Sequence, residues 1–337
     1  MSPSRFTVVP ENRLAFEAAR DAFADPRAAA ARCGGVATLC GPAGSGQSTI
    51  VGMFWAKASA GPPTARRGIA RTSAAKWASE FAAADRDGKP ADWAERPVAS
   101  KLWVVEGVEW FRGSRRTAAA TRFAAAVDRV SGRGGMVLLT AASETGGLPR
   151  VGPRLSDRMA GGLVAAIMPL SSESRATLLR RFAESRGMAV SKDHASALMP
   201  ALGLTAGEVQ ADAEAFERLV VGCGGDVTDD AVNEFVRRRS APKPTTAAIA
   251  RLVAREFSAR VTDLRASGRS SGVVLPRQAA MFLARTVAGE PYKAIGQYFG
   301  NRNHSTVVHA VKRVERLLAD GDERLAPLAA VRAELAG

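Results

Sequence analysis

The sequence predicts an α/β domain built on a parallel sheet, followed by an all-helical domain that contains a helix-turn-helix. Three observations predict it. Short apolar runs alternate with helical stretches over the first half, and strand signals stop near Ser171. A Pro-rich break at 240–244 then opens a segment whose apolar residues keep helical spacing to the end.

Each element has its own local signal. Residues 36–40 (VATLC) read as a buried strand, 41–46 as a Gly-rich turn and 48–58 as a helix. Residues 102–105 and 136–140 are two further strands, with helical composition over 118–130 between them. All three strands are continuous apolar runs, as expected where helices cover both faces of a parallel sheet. Beyond Ser171, Leu178, Leu179 and Phe182 share one helical face, 208–219 is helical, and 230–239 forms a helix ending in three arginines. After the break, Ile249, Leu252, Val253 and Phe257 line one face of a helix. Pro276 fits the first position of a helix running to about 287, with Gly289 past its end. A short helix over 291–299 is stopped by Gly300, and another runs from His304 through Leu318. That pair is the helix-turn-helix candidate.

Composition narrows the function classes. The chain has 337 residues, 46% hydrophobic and 24% charged, which excludes a disordered or collagen-like protein. No run approaches the ~18 apolar residues of a membrane span, and the start MSPSRFTVVPENR lacks the apolar core of a signal peptide. Three cysteines (Cys33, Cys40, Cys223) are too few for a disulfide framework. The expectation is a soluble cytoplasmic protein. Lys and Arg number 47 against 33 Asp and Glu, a net charge of +14 that favours a polyanionic partner. Residues 242–337 hold fifteen Lys/Arg and eight Asp/Glu, so half of that charge lies in the helical segment.

The turn 41–48 (GPAGSGQS) matches the phosphate-loop pattern G-x-x-x-x-G-K-[ST] except that Gln47 replaces the lysine. Gly41, Gly44 and Gly46 would let backbone N–H groups face a phosphate at the start of a helix, beside Ser48 and Thr49. A neutral Gln47 amide would replace the cation against the outer phosphates. The second strand should end in acidic residues that hold Mg²⁺. It ends in Glu106 and Gly107, leaving Ser48 and Glu106 as the metal ligands on offer. Bound ATP or ADP with Mg²⁺ is therefore an open expectation, with weakened hydrolysis.

In this order, these pieces resemble the bacterial chromosomal replication initiator family DnaA, an AAA+ ATPase fused to a DNA-binding domain. The resemblance begins at 6–19 (FTVVPENRLAFEAA) and passes through 102–111, where the family carries two aspartates, and the sensor strand 137–140. Residues 153–163 (PRLSDRMAGGL) look like the arginine-finger motif, with Arg158 as the finger or else a surface cation. Gly207, Glu208 and Val209 fall where the family has a second sensor arginine. The closest likeness lies at 276–281 (PRQAAM) and 300–310 (GNRNHSTVVHA), the two signatures of the DNA-binding domain. It implies that Asn303, His304 and Ser305 read bases in the major groove, beside Arg302. Arg277, Gln278, Thr306, Lys312 and His309 would hold phosphates, and Arg269 would enter the minor groove.

The implied architecture is an AAA+ base over 1–170, a helical lid over 171–228, a connecting helix and linker over 229–244, a helix-turn-helix domain over 245–325 and a tail over 326–337. Only five residues precede Phe6, so the family's N-terminal module is expected to be missing. The implied partner is double-stranded DNA carrying short, origin-like boxes, with self-assembly on it. Three functions stay open at this point. They are a DNA-binding replication protein with a degenerate ATP site, a fully ATP-switched initiator, and a transcription regulator using the AAA+ part as a platform.

Overall fold

The computed structural model describes residues 6–61, 68–88, 99–113, 116–144, 147–240, 244–266, 268 and 271–336. The chain divides into two units, Met1–Val236 and Arg237–Gly337.

The first unit opens with helices α1 (Pro10–Ala24) and α2 (Pro26–Cys33), then strand β1 (Val36–Gly41) and helix α3 (Gln47–Ala60). There follow β2 (Ile69–Ser73), α4 (Ala74–Arg86), β3 (Leu102–Glu106), a 3-10 turn (Val108–Phe111) and α5 (Thr117–Gly132). β4 (Met136–Ala142), α6 (Pro153–Ala160) and β5 (Leu163–Ala166) complete the base. The five strands are parallel in the order β2-β3-β4-β1-β5. β1, β3 and β4 are the inner strands, and burial on both faces is why they read as unbroken apolar runs. One face packs Trp77, Trp103, Phe111 and Phe123. The other packs Leu39, Ile50, Leu102 and Leu138.

The lid comprises α7 (Ser172–Ser185), α8 (Lys192–Leu198) and α9 (Ala206–Gly222), with α10 (Asp229–Ser240) after it. Leu179, Leu198, Phe216 and Phe235 form its core. Ser171, Ser191 and Thr205 cap the three lid helices, each side-chain oxygen accepting from a first-turn N–H. Base and lid are joined by a cluster of Val9, Leu170 and Val209. Beside it, the Glu11 carboxylate accepts from the Ser171 N–H at 2.8 Å and the Ser174 hydroxyl at 2.7 Å.

The second unit holds α11 (Thr246–Glu256), α12 (Val261–Arg265), α13 (Ser271–Thr286), α14 (Tyr292–Tyr298), α15 (His304–Ala319) and α16 (Pro327–Ala336). Ile249, Val253, Leu283, Phe299, Val307 and Val314 are fully buried in its core. Two expectations are corrected here. Pro276 lies inside α13 rather than at its first position, since the helix already begins at Ser271. The Pro276 nitrogen carries no N–H, so the helix lacks one rung of its ladder at this point. The expected tail is a helix, because Leu328 and Val331 supply apolar surface that the same core buries.

The three cysteines are free thiols. No helix among the described residues is long and apolar enough to cross a membrane.

Candidate functional site

The phosphate loop links the end of β1 to α3, whose N-terminal residue Gln47 is buried while Ser48 and Thr49 are exposed. The expected reach of Gln47 toward outer phosphates is not what the structure shows. Its Nε2 donates to the carbonyls of Gly41 at 2.9 Å, Ala141 at 3.3 Å and Pro42 at 3.4 Å. These carbonyls lie where the β1 and β4 ladders end, so the amide satisfies buried acceptors beneath the loop. The hydroxyl of Ser45, also buried, has no hydrogen-bond partner.

The acidic edge of the site is likewise committed. Glu106 Oε1 accepts from Arg71 Nε at 2.7 Å, and both side chains are mostly buried (18% and 28% exposed). The Arg71 guanidinium also lies 5.6 Å from the Trp55 ring centroid. The carboxylate expected to ligate Mg²⁺ therefore already carries a cation from β2. Gly107 has φ +73°, a left-handed conformation that disfavours a side chain, and its N–H donates to Thr140 Oγ1 at 3.1 Å. Glu109, which sequence reasoning did not single out, accepts the Ala142 N–H at 2.9 Å on Oε2. It sits in the 3-10 turn after β3, where no strand pattern marks it. No group of three or more His, Cys, Asp or Glu able to hold a metal occurs among the described residues. One exposed hydroxyl, Ser48, and an already paired carboxylate do not fit a magnesium site.

The lid reaches this loop directly. The Gly207 N–H donates to the Gly44 carbonyl at 2.8 Å. A Cβ on Gly207 would stand 3.0 Å from that oxygen and 3.3 Å from the Gly44 Cα. Glu208 is held in a capping box, accepting from the Leu204 and Thr205 amides at 3.0 Å. Arg158 is 56% exposed and pairs within its own chain with Asp128 on α5 at 2.5 Å, next to Arg154.

In the second unit, α14 and α15 are joined by a five-residue turn. Gly300 takes φ +86°, and any Cβ there would strike the Arg265 carbonyl at 2.3 Å. The turn closes through the Arg302 N–H donating to the Gly296 carbonyl at 2.9 Å. It delivers Asn303, His304, Ser305 and Thr306 to the start of α15, all four exposed. Val307, Ala310, Val311 and Val314 face the core, so Ser305, His309, Lys312 and Arg316 form the opposite, solvent-facing stripe.

Two cations of the sequence-based set face inward. Arg277 is buried, and its guanidinium donates to the carbonyls of Asp263, Leu264, Ala266 and Gly268 at 2.7–2.9 Å. Burial, and then the nearby Arg302 charge, lower its pKa. It holds a loop together rather than a phosphate, because four carbonyls outcompete water for its donors. Arg302 likewise donates to Phe299 at 3.1 Å and Ala266 at 2.8 Å. Gln278 is half-buried with its Oε1 unpartnered. Arg269 lies outside the described residues.

Comparison with known proteins agrees with this layout. The family description "Bacterial dnaA protein helix-turn-helix" matches residues 246–314, which span α11 through most of α15. The chromosomal replication initiator DnaA of Sphingopyxis alaskensis is 29% identical over 302 residues, 88% of this chain and 66% of that protein. DnaA of Geobacter sulfurreducens is 31% identical over 179 residues, 52% of this chain and 40% of that protein. The chain is similar to DnaA proteins along most of its length, and its residues 246–314 match the DnaA helix-turn-helix.

It spans between 40% and 66% of the length of these two DnaA proteins. A replication initiator DnaA bound to AMPPCP and single-stranded DNA superposes with a TM-score of 0.57 at 17% identity, covering 99% of this chain and 96% of that one. Domain III of Thermotoga maritima DnaA superposes at 0.57 and 15% identity, covering 72% and 97%. These likenesses give the fold: a DnaA-type AAA+ base and lid, and after them the DnaA helix-turn-helix domain.

Proposed function

We propose that this DnaA-like chain binds short sequence boxes in duplex DNA and acts in the initiation of chromosomal replication or its control, with a weakened nucleotide switch. The observation that carries the reading is the exposed row Asn303, His304, Ser305 and Thr306 at the N-terminus of α15, the part of a recognition helix that meets base edges. On this reading Asn303, His304 and Ser305 read bases, while Thr306, His309, Lys312 and Gln278 hold the backbone. The protein works in the cytoplasm, and Arg158 is free to leave Asp128 for a neighbouring subunit, since exposed ion pairs are weak.

The weakened switch is supported by three replacements that are already satisfied internally. Gln47 is bonded beneath the loop, Glu106 is paired with Arg71, and Gly207 rests on Gly44. Any nucleotide bound here would be held by the loop's N–H groups and Ser48 rather than by a lysine.

Selection of the full chain against random duplexes tests the DNA half. Wild type should enrich one motif. Asn303 both donates and accepts and suits adenine, whereas an aspartate only accepts and suits cytosine. Asn303→Asp should therefore shift one position toward cytosine by about 1–3 kcal/mol. Lys312→Ala should weaken all sequences alike and lower the salt slope by about 1. Enrichment of no motif, or an unchanged motif in Asn303→Asp, overturns the assignment.

A further inference from the structure

The base-reading row contains a histidine that stands against an aromatic ring of the preceding helix. Tyr292, the first residue of α14, lies with its ring centroid 5.2 Å from that of His304, the first residue of α15, at an interplanar angle of 76°. The other side of the arrangement is anchored by α13. The Arg285 guanidinium sits 4.7 Å over the Tyr292 ring, and its Nη1 donates to the Glu290 carbonyl at 3.1 Å. Tyr292 itself packs partly into the domain core. Tyr292 thus touches both the His304 ring of α15 and the Arg285 guanidinium of α13.

The contact matters because it is the ring contact that His304 makes among the described residues. His304 is exposed, and it makes no side-chain hydrogen bond among the described residues. An exposed histidine in a first helical turn samples several rotamers, and only one of them presents a given ring nitrogen to a base edge. Ordering such a side chain on binding weakens the complex, and ordering it beforehand removes that penalty.

Resting on the DNA-reading role given above, we propose that Tyr292 is a positioning residue that sets the rotamer of His304, with Arg285 bracing the tyrosine ring. Tyr292 acts on sequence discrimination through His304. The required chemistry is an aromatic face or edge, so the hydroxyl is dispensable.

The test uses the full chain, wild type and the variants Tyr292→Leu and Tyr292→Phe, on the selected duplex and on its derivative altered at the base that His304→Ala ceases to distinguish. Edge-to-face pairs shift an equilibrium by about 2- to 10-fold. Tyr292→Leu should lose that much discrimination at this one base, while Tyr292→Phe retains it within twofold and the salt slope stays unchanged. Because the chain has only three histidines, the His304 ring resonances can be assigned by their absence in His304→Gln. They should move in Tyr292→Leu and stay near their place in Tyr292→Phe. Equal discrimination in wild type and Tyr292→Leu, equal loss in both variants, or unmoved resonances overturn the inference while the DNA-reading assignment stands. A wild-type chain that enriches no duplex removes that assignment first.

Discussion

The amide of Gly207 donates to the carbonyl of Gly44 at 2.8 Å, so the lid meets the phosphate loop backbone to backbone. The contact depends on the missing side chain, since a Cβ would crowd both the Gly44 oxygen and its Cα. Gly207→Arg should force the lid away at a cost of about 1–3 kcal/mol, the usual range for overpacking. Thermal unfolding and loss of hydrogen-exchange protection at residue 207 report it. Unchanged protection would show that the lid closes by other contacts.

Gln47 gives a prediction with two opposite arms. Gln47→Ala removes this donor from the carbonyls of Ala141 and Gly41, the latter keeping the Ser143 N–H, and should destabilise the first unit by about 0.5–1.5 kcal/mol. Gln47→Lys supplies a charge-assisted contact to phosphate worth about 1.5–3 kcal/mol, so ATP affinity should rise about 10- to 150-fold. Titration calorimetry with Mg²⁺ measures it. Submicromolar binding with steady turnover in the wild type would favour the fully ATP-switched initiator instead.

A pH dependence follows from Glu11 at the base–lid junction. Burial raises its pKa, but the Ser171 amide and the Ser174 hydroxyl outweigh this and leave it below the ordinary value. A depressed carboxylate contributes stability above its unfolded pKa and loses it as pH falls through the folded value. Protection of the Ser171 amide should therefore drop once the pH falls below about 4. In Glu11→Gln it should already be low at neutral pH and change little on acidification. A wild-type profile that is flat across this range would remove the carboxylate from the junction.

Arg277 should behave as a structural residue. Arg277→Met takes its donor from the carbonyls of Asp263, Leu264 and Gly268, while Ala266 keeps Arg302, and an unsatisfied buried acceptor costs about 1–3 kcal/mol before water relaxes in. Calorimetric unfolding of the second unit should shift down strongly. The salt slope of DNA binding, measured below the transition, should match wild type. A slope reduced by about 1 would return Arg277 to the phosphates.

The inner strands and α15 were legible in the sequence for a common reason. β1, β3 and β4 are buried on both faces, and α15 keeps Val307, Val311 and Val314 on one side, so pattern and burial coincide. β2 (IARTS) and β5 (LVAA) are edge strands with half-covered faces, and their short mixed runs carry no clear period. The site was legible as residue types but not as directions. Whether Arg277 points to solvent or to the loop before it depends on carbonyls nine to fourteen residues away. That Gln47 turns under its loop depends on Ala141, ninety-four residues later. Local spacing holds no record of either.

Gly107 makes the acidic edge resistant to a new side chain. Its φ of +73° suits a residue without Cβ, and an aspartate placed there would sit on a backbone that resists it by about 1 kcal/mol. Its N–H is meanwhile tied to Thr140. A Gly107→Asp substitution would thus lower stability before it gave the edge a second usable carboxylate, because the peptide after Glu106 must turn and Arg71 must release Glu106. The backbone holds this edge in place, and any added carboxylate there enters through a less stable protein.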